Sequence, residues 1–270
     1  MIRILAFLLA ALLASEARAQ ERFITLSSTT STQDSGLFDH ILPRFHAASG
    51  IDVHVVAVGT GQALAIGARG DADALLVHDR AGEDKFVAEG FGIDRRDVMY
   101  NDFVIVGPKS DPAGIRGLNS AREALGRIAA KGAVFASRGD DSGTNRMELR
   151  LWKSSGIAPG RSPWYRDLGQ GMGPTLNVTA ALDAYTLTDR ATWANFKNRQ
   201  NLEILTEGDA ALFNPYGSIL VNPAKWPQVK AADARIWHEW LTTRAGLDAI
   251  TSYRIAGEQL FFPPRVAAVH

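Results

Sequence analysis

Cysteine is absent from all 270 residues. That excludes disulfides, thiolate metal sites, a cysteine nucleophile and a lipid-modified N-terminal cysteine. A surplus of either charge is absent too: 29 basic residues balance 29 acidic ones. No basic face for nucleic acid and no acidic tail follows from such a balance. Long hydrophobic runs are missing except for Ile4–Ala14, which is too short for a membrane span of about 20 residues. That run sits between the positive start Met1-Ile2-Arg3 and the small-residue site Ala17-Arg18-Ala19. This is the pattern of a cleavable secretory signal, residues 1–19, with the mature chain starting near Gln20. The expected address is therefore outside the cytoplasm, in the periplasm.

Signatures of common chemistries are also missing. No GxGxxG follows the first strand, and there is neither a P-loop nor a GxSxG elbow. His40, His46, His54, His78, His238 and His270 form no HExxH or clustered metal spacing. His78-Asp79 lies among many serines, but nothing marks one serine as a nucleophile. No reacting pair emerges, so the chain does not read as an enzyme. No metal or cofactor is expected.

What is present is an alternation of short apolar strands with helical patterns. Phe23–Leu26, Val53–Val58 and Ala74–Val77 read as strands, each followed by a helical pattern. Such alternation predicts a parallel sheet with helices on its faces, whose ligands gather at strand carboxyl ends. After Pro112 the alternation restarts with a helix at 120–131, a strand at 133–136 and a helix at 143–153. No linker separates the two runs. The fold expected is α/β with two lobes, joined by extended crossings at 98–107 and 213–221. Lobe one would hold 20–105 and 215–270, and lobe two 106–214.

Four stretches share one grammar, a strand, then hydroxyl or glycine residues, then a helix. They are Ser28–Thr32, Gly59–Gln62, Ser142–Thr144 and Thr188–Arg190. Each places backbone N–H groups and side-chain donors where a helix end carries partial positive charge. Each also reads as ordinary helix capping. Two on each lobe favour a shared anion between the lobes. Arg138, just before the Ser142–Thr144 turn, supplies a permanent charge able to grip an oxyanion.

The longer stretches resemble a known family. They are Ser28-Thr29-Thr30-Ser31-Thr32 with Asp34-Ser35-Gly36-Leu37, Val58–Leu64, Gly70–His78, Val98–Pro108 and the Arg138 loop. Together they resemble the tungstate-binding periplasmic proteins of ABC importers, within the type II solute-binding fold. The resemblance covers nearly the whole mature chain. It implies two αβ lobes, two hinge strands and one oxyanion bound in the cleft. It also implies an inner-membrane permease and ATPase that receive the loaded protein, which is expected to be a monomer. The expected donors are Thr30, Ser31, Thr60, Gly61, Ser142, Gly143 and Thr144, with Arg138 as the charge. Thr188 and Arg190 join them only by their position at a helix start. Asn145 departs from the histidine that the family pattern places after Ser-Gly-Thr.

Phosphate is the competing ligand, because Arg-x-Asp-x-Ser-Gly-Thr also resembles the loop of phosphate-binding proteins of this fold. Near neutral pH phosphate carries a proton and benefits from a carboxylate acceptor. Tungstate and molybdate carry none, and a buried carboxylate would repel them. Asp140 reads as the holder of Arg138, and Asp73 and Asp189 as structural or capping groups. Donor-only stretches favour the oxometallate. Composition does not rank tungstate against molybdate; only the resemblance does. A sensor presenting the same site to a membrane receptor would share these features.

Overall fold

The computed structural model describes residues 22–264. The signal-peptide reading of residues 1–19 lies outside them. Among the described residues, no helix is long and apolar enough to cross a membrane.

Strands β1 (Arg22–Thr29), β2 (Ile51–Val58) and β3 (Ala74–Val77) run parallel, in the order β2-β1-β3. Beside β3 comes β9 (Phe213–Val221), antiparallel, and then β4 (Gly92–Pro108). The sequence expectation of two crossings is met by these last two strands. Strand β4 is one continuous element with bulges, and β9 continues straight through Pro215. Pro215 lies opposite Tyr100, on a strand already interrupted by register shifts.

Strand β4 changes sheets along its length. Its first part, up to Asp102, pairs with β9. From Phe103 onward it pairs with β7 (Thr186–Asp189) on one edge and, from Ile105, with β8 (Leu202–Thr206) on the other. A parallel pair, β5 (Phe135–Ser137) and β6 (Tyr165–Asp167), extends this second sheet through the contact of Phe135 with Tyr185.

The core divides at the same place. Val98 and Met99 pack with Ile24, Leu26, Phe38, Tyr216 and Trp237. Phe103 and Ile105 pack instead with Trp152, Tyr185 and Leu187. The alternate residues Val104 and Val106 face the opposite side, against Met172, Leu176 and Trp193. A strand with apolar residues on both faces must be covered on both faces, and here it is. Helix α2 (Leu37–Ser49) and α9 (Ala231–Trp240) cover one face of the first sheet. Helix α2 keeps Pro43 inside it and buries Leu37, Phe38, Ile41 and Phe45 at helical spacing. The chain returns to the crossing at its end, where Tyr100 and Phe262 exchange backbone hydrogen bonds of 3.0 and 2.9 Å.

Candidate functional site

Strand carboxyl ends from both sheets meet where the chain changes sheets. On the first sheet, β1 runs directly into the short helix α1 (Thr30–Asp34), and β2 into α3 (Thr60–Ala68). Thr29 lies opposite Val58 in the parallel register, so the two helix starts emerge side by side. Strand β3 ends at Val77 and hands the chain to His78. On the second sheet, β5 leads into Arg138 and then into α6 (Gly143–Ser154). Strand β7 leads into α8 (Arg190–Asn195), capped by Asp189, whose Oδ1 accepts from the Thr192 amide at 2.9 Å.

The two edges touch. The Gly143 amide donates to Thr60 Oγ1 at 2.6 Å. The Gly61 amide donates to the Asp141 carbonyl at 3.4 Å. Arg138 Nη2 donates to Thr30 Oγ1 at 3.0 Å. Thr192 Oγ1 donates to the Ser31 carbonyl at 3.1 Å. Farther out, Arg146 and Arg150 of α6 both reach Asp79, at 2.7 and 3.0 Å. Gly143 must be glycine for this closeness: a Cβ there would lie 2.9 Å from His78 Cε1 and 3.1 Å from Thr60 Oγ1.

Arg138 is the centre of this arrangement. Its side chain is 1% exposed. Nη2 is shared between Thr30 and Asp140 Oδ2, the latter at 2.6 Å. Nε and Nη1 are buried without a partner, and so is Thr144 Oγ1 on the same loop. A buried guanidinium that leaves two nitrogens, with three N–H donors, unpaired costs several kcal/mol unless something accepts from them. Both Asp140 oxygens are occupied, Oδ2 by Arg138 and Oδ1 by the Ser142 amide at 3.3 Å. Asp140 thus acts as the holder of Arg138, as the sequence suggested. Asp73 is structural, accepting from the Thr25 and Lys230 amides at 2.7 Å each.

The loop carrying Arg138 is pinned from behind. Ser137 Oγ donates to Glu148 Oε2 at 2.7 Å, and Tyr165 and Trp152 donate to Oε1 at 2.7 and 3.0 Å. Burial pushes the Glu148 carboxyl up to about 7 despite these donors. Asn145 joins the same support. It donates to Ser137 Oγ at 3.2 Å and accepts from the Asp141 amide at 3.2 Å. The departure at this position thus holds the loop's own backbone.

On the first sheet the groups are neutral. Thr29 and Ser31 hydroxyls sit 3.2 and 3.0 Å from His78 Nε2. Burial pushes the His78 imidazole down to about 4, so it is uncharged at neutral pH. Its Nδ1 faces Asn214 Oδ1 at 3.1 Å. Asn214 donates to Asn101 at 2.6 Å, and Asn101 to Asp189 at 3.3 Å. Burial pushes the Asp189 carboxyl up to about 6, while the Arg138 charge pulls it down.

Of the residues expected from sequence, Thr30, Ser31, Thr60, Gly61, Arg138, Ser142, Gly143 and Thr144 come together at this junction. Ser142 caps α6, its Oγ accepting from the Asn145 amide at 3.1 Å. Thr188 is buried on β7, and its hydroxyl donates to the Asp189 carbonyl at 3.2 Å. Arg190 stands apart. Asp102 at 2.7 and 2.6 Å and Glu207 at 2.6 Å hold its guanidinium. It lines a separate cavity of about 440 Å³ with Tyr100, Phe213 and Phe262. Sequence reasoning left out Asn101, Asn214 and Thr192, and left His78 open between a ligand contact and a structural loop histidine. The available signal was an amide side chain inside each of the two crossing strands, since a buried amide must be paired. Among the described residues, no group of three His, Asp or Glu side chains could hold a metal ion.

Comparison with known proteins places this junction in a family. Residues 14–245 match the model of the PBP superfamily domain. The tungstate-binding protein TupA of Peptoclostridium acidaminophilum is 46% identical over 244 residues, covering 89% of this chain and 85% of that protein. The crystal structure of the tungstate ABC transporter from Geobacter sulfurreducens superposes with a TM-score of 0.80 at 53% identity, over 86% of this chain and 99% of that one. The tungstate-binding protein TupA from Desulfovibrio alaskensis G20 gives a TM-score of 0.77 at 46% identity, over 90% and 99%. With this degree of identity along almost the whole chain, the protein belongs to the PBP superfamily and, within it, to the family of the tungstate-binding protein TupA.

Proposed function

We propose that this protein is a periplasmic receptor that captures tungstate between its two sheets and delivers it to an ABC importer. The observation that carries the reading is the buried Arg138 guanidinium with Nε and Nη1 unpaired, on the loop that also buries the unpaired Thr144 hydroxyl. Both are donors, and a tetrahedral dianion offers only acceptors. Charge-assisted hydrogen bonds of this kind are about twice as strong as neutral ones. Thr30, Ser31, Thr60 and Ser142 supply neutral donors from both sides, and Gly61 and Gly143 bring the two edges together through their amides. Binding and closure are then one event: the anion completes Arg138 while Gly143 docks on Thr60. Strands β4 and β9 serve as the hinge between a lobe of residues 20–105 with 215–270 and a lobe of 106–214. The receptor acts as a monomer without catalysis or cofactor. Its partners are a permease and its ATPase at the inner membrane.

Asp140 is engaged through both oxygens by Arg138 and the Ser142 amide, and Asp189 Oδ2, buried without a partner, is the acceptor on which a protonated phosphate would depend. Calorimetric titration with tungstate, molybdate, phosphate and sulfate at one pH and salt tests this. Tight heat with tungstate and none with phosphate is expected. Tight phosphate with silent tungstate overturns the reading.

A further inference from the structure

Six side chains, the Thr192 backbone amide and the Ser31 backbone carbonyl form a closed circuit of hydrogen bonds across the crossing strands. It runs from Thr192 to Asp189, Asn101, Asn214, His78 and Ser31, and returns from the Ser31 carbonyl to Thr192. Asn101 and Asn214 lie directly opposite each other in the β4–β9 register. His78 and Ser31 belong to the first sheet, and Asp189 and Thr192 to the second. The circuit therefore passes through the proposed hinge and closes on the far side of it.

Its direction is determined at one point. The Thr192 amide is a fixed donor, and an ionised Asp189 carboxylate is acceptor-only, so its Oδ1 accepts from both Thr192 and Asn101. Asn101 must then turn its NH2 to Asp189 and its oxygen to Asn214. Asn214 must turn its NH2 to Asn101 and its oxygen to His78. His78 must carry its proton on Nδ1. A neutral ring then presents a bare Nε2, which accepts from the Thr29 or Ser31 hydroxyl.

Ser31 is thus gripped twice, through its hydroxyl by His78 and through its carbonyl by Thr192, at 3.0 and 3.1 Å. The first grip stays within the first sheet. The second exists only while the two sheets are closed on one another. We infer that His78, Asp189 and Thr192 are positioning residues for the anion site: through a hydrogen-bond circuit across the hinge they fix the orientation of Ser31, and Thr192 completes that circuit only on closure. The inference rests on the proposed role of Ser31 as a cleft donor, through its backbone N–H, because its hydroxyl proton is directed to His78.

Two measurements test it. In ¹⁵N NMR of the wild-type protein at pH 7, with the His78 ring assigned by its loss in His78→Gln, the ring is expected to carry its proton on Nδ1. A proton on Nε2 overturns the direction of the circuit. In calorimetry with sodium tungstate, Thr192→Val keeps shape and the helix-cap amide but removes the hydroxyl. It is expected to raise Kd about tenfold, while Thr192→Ser stays within about twofold of wild type. Thr192→Val at wild-type affinity, or equal losses in both variants, overturns the role of the circuit in binding. Wild-type protein that ignores tungstate overturns both this inference and the functional reading. A normal wild type with an unaffected Thr192→Val overturns the circuit alone.

Discussion

The two edges that face each other at the junction are built differently. The first-sheet edge, Thr29–Thr32 with Thr60 and His78, is neutral, and its hydroxyls bond to one another and to an uncharged imidazole. The second-sheet edge carries the buried Arg138, the carboxylate of Asp140 that holds it, and the Glu148 support beneath. Charge placed on one edge alone lets an anion settle there before the other edge arrives. Neutral donors on the opposite edge can then select for shape without repelling one another in the open state.

The largest effect expected from breaking this asymmetry is at its charged side. Arg138→Ala should cost roughly 3 kcal/mol or more of tungstate binding, on the order of a hundredfold in Kd by calorimetry. An unchanged Kd would move the charge elsewhere. Next comes the contact between the edges. Gly143→Ala should cost about 1–3 kcal/mol, because its methyl meets His78 and Thr60 on closure. A small-angle scattering profile that still contracts with ligand, at wild-type affinity, would show the edges have room to spare.

The support beneath the charged edge gives a pH signature. The Glu148 carboxyl is raised to about 7 in the fold from an ordinary 4.5. Between these values the folded state holds a proton that the unfolded state has lost, so this group favours folding at the acid end and loses that contribution as pH rises through about 7. Glu148→Gln removes it. Wild-type stability relative to the variant, from urea unfolding, should fall by about 1.4 kcal/mol per pH unit across that window. A pH-independent gap would place an ionised carboxylate there. The smallest effect is expected at the other arginine. Arg190→Gln should change tungstate affinity by less than about twofold, since Asp102 and Glu207 already hold that guanidinium; a loss like that of Arg138→Ala would put it in the site.

Arg138 and Arg190 also show how far a sequence reaches. Both follow a strand and precede a helix, so the local grammar treats them alike. Their difference lies in which carboxylates arrive: Asp140 is a near neighbour, visible in sequence, whereas Asp102 comes from a distant strand. The Ser/Thr stretches were legible because capping and anion binding ask for the same residues at the same place. The crossing strands were legible as apolar runs. The Asn101–Asn214 pair was not, because it depends on the register of two strands far apart in the chain. His78 was ambiguous for the same reason, its partner being set by that register.

The path of β9 has a consequence for the order in which the molecule is made. The apolar core around Phe103, Trp152 and Leu212 comes from one uninterrupted stretch of chain. It can consolidate once Leu212 has emerged. The other sheet cannot. Strand β9 lies between β3 and β4, so the N-terminal strands wait for a middle neighbour encoded near the far end of the gene. Synthesised first, that half is finished last, and its early strand edges need protection from stray pairing until residue 221 arrives.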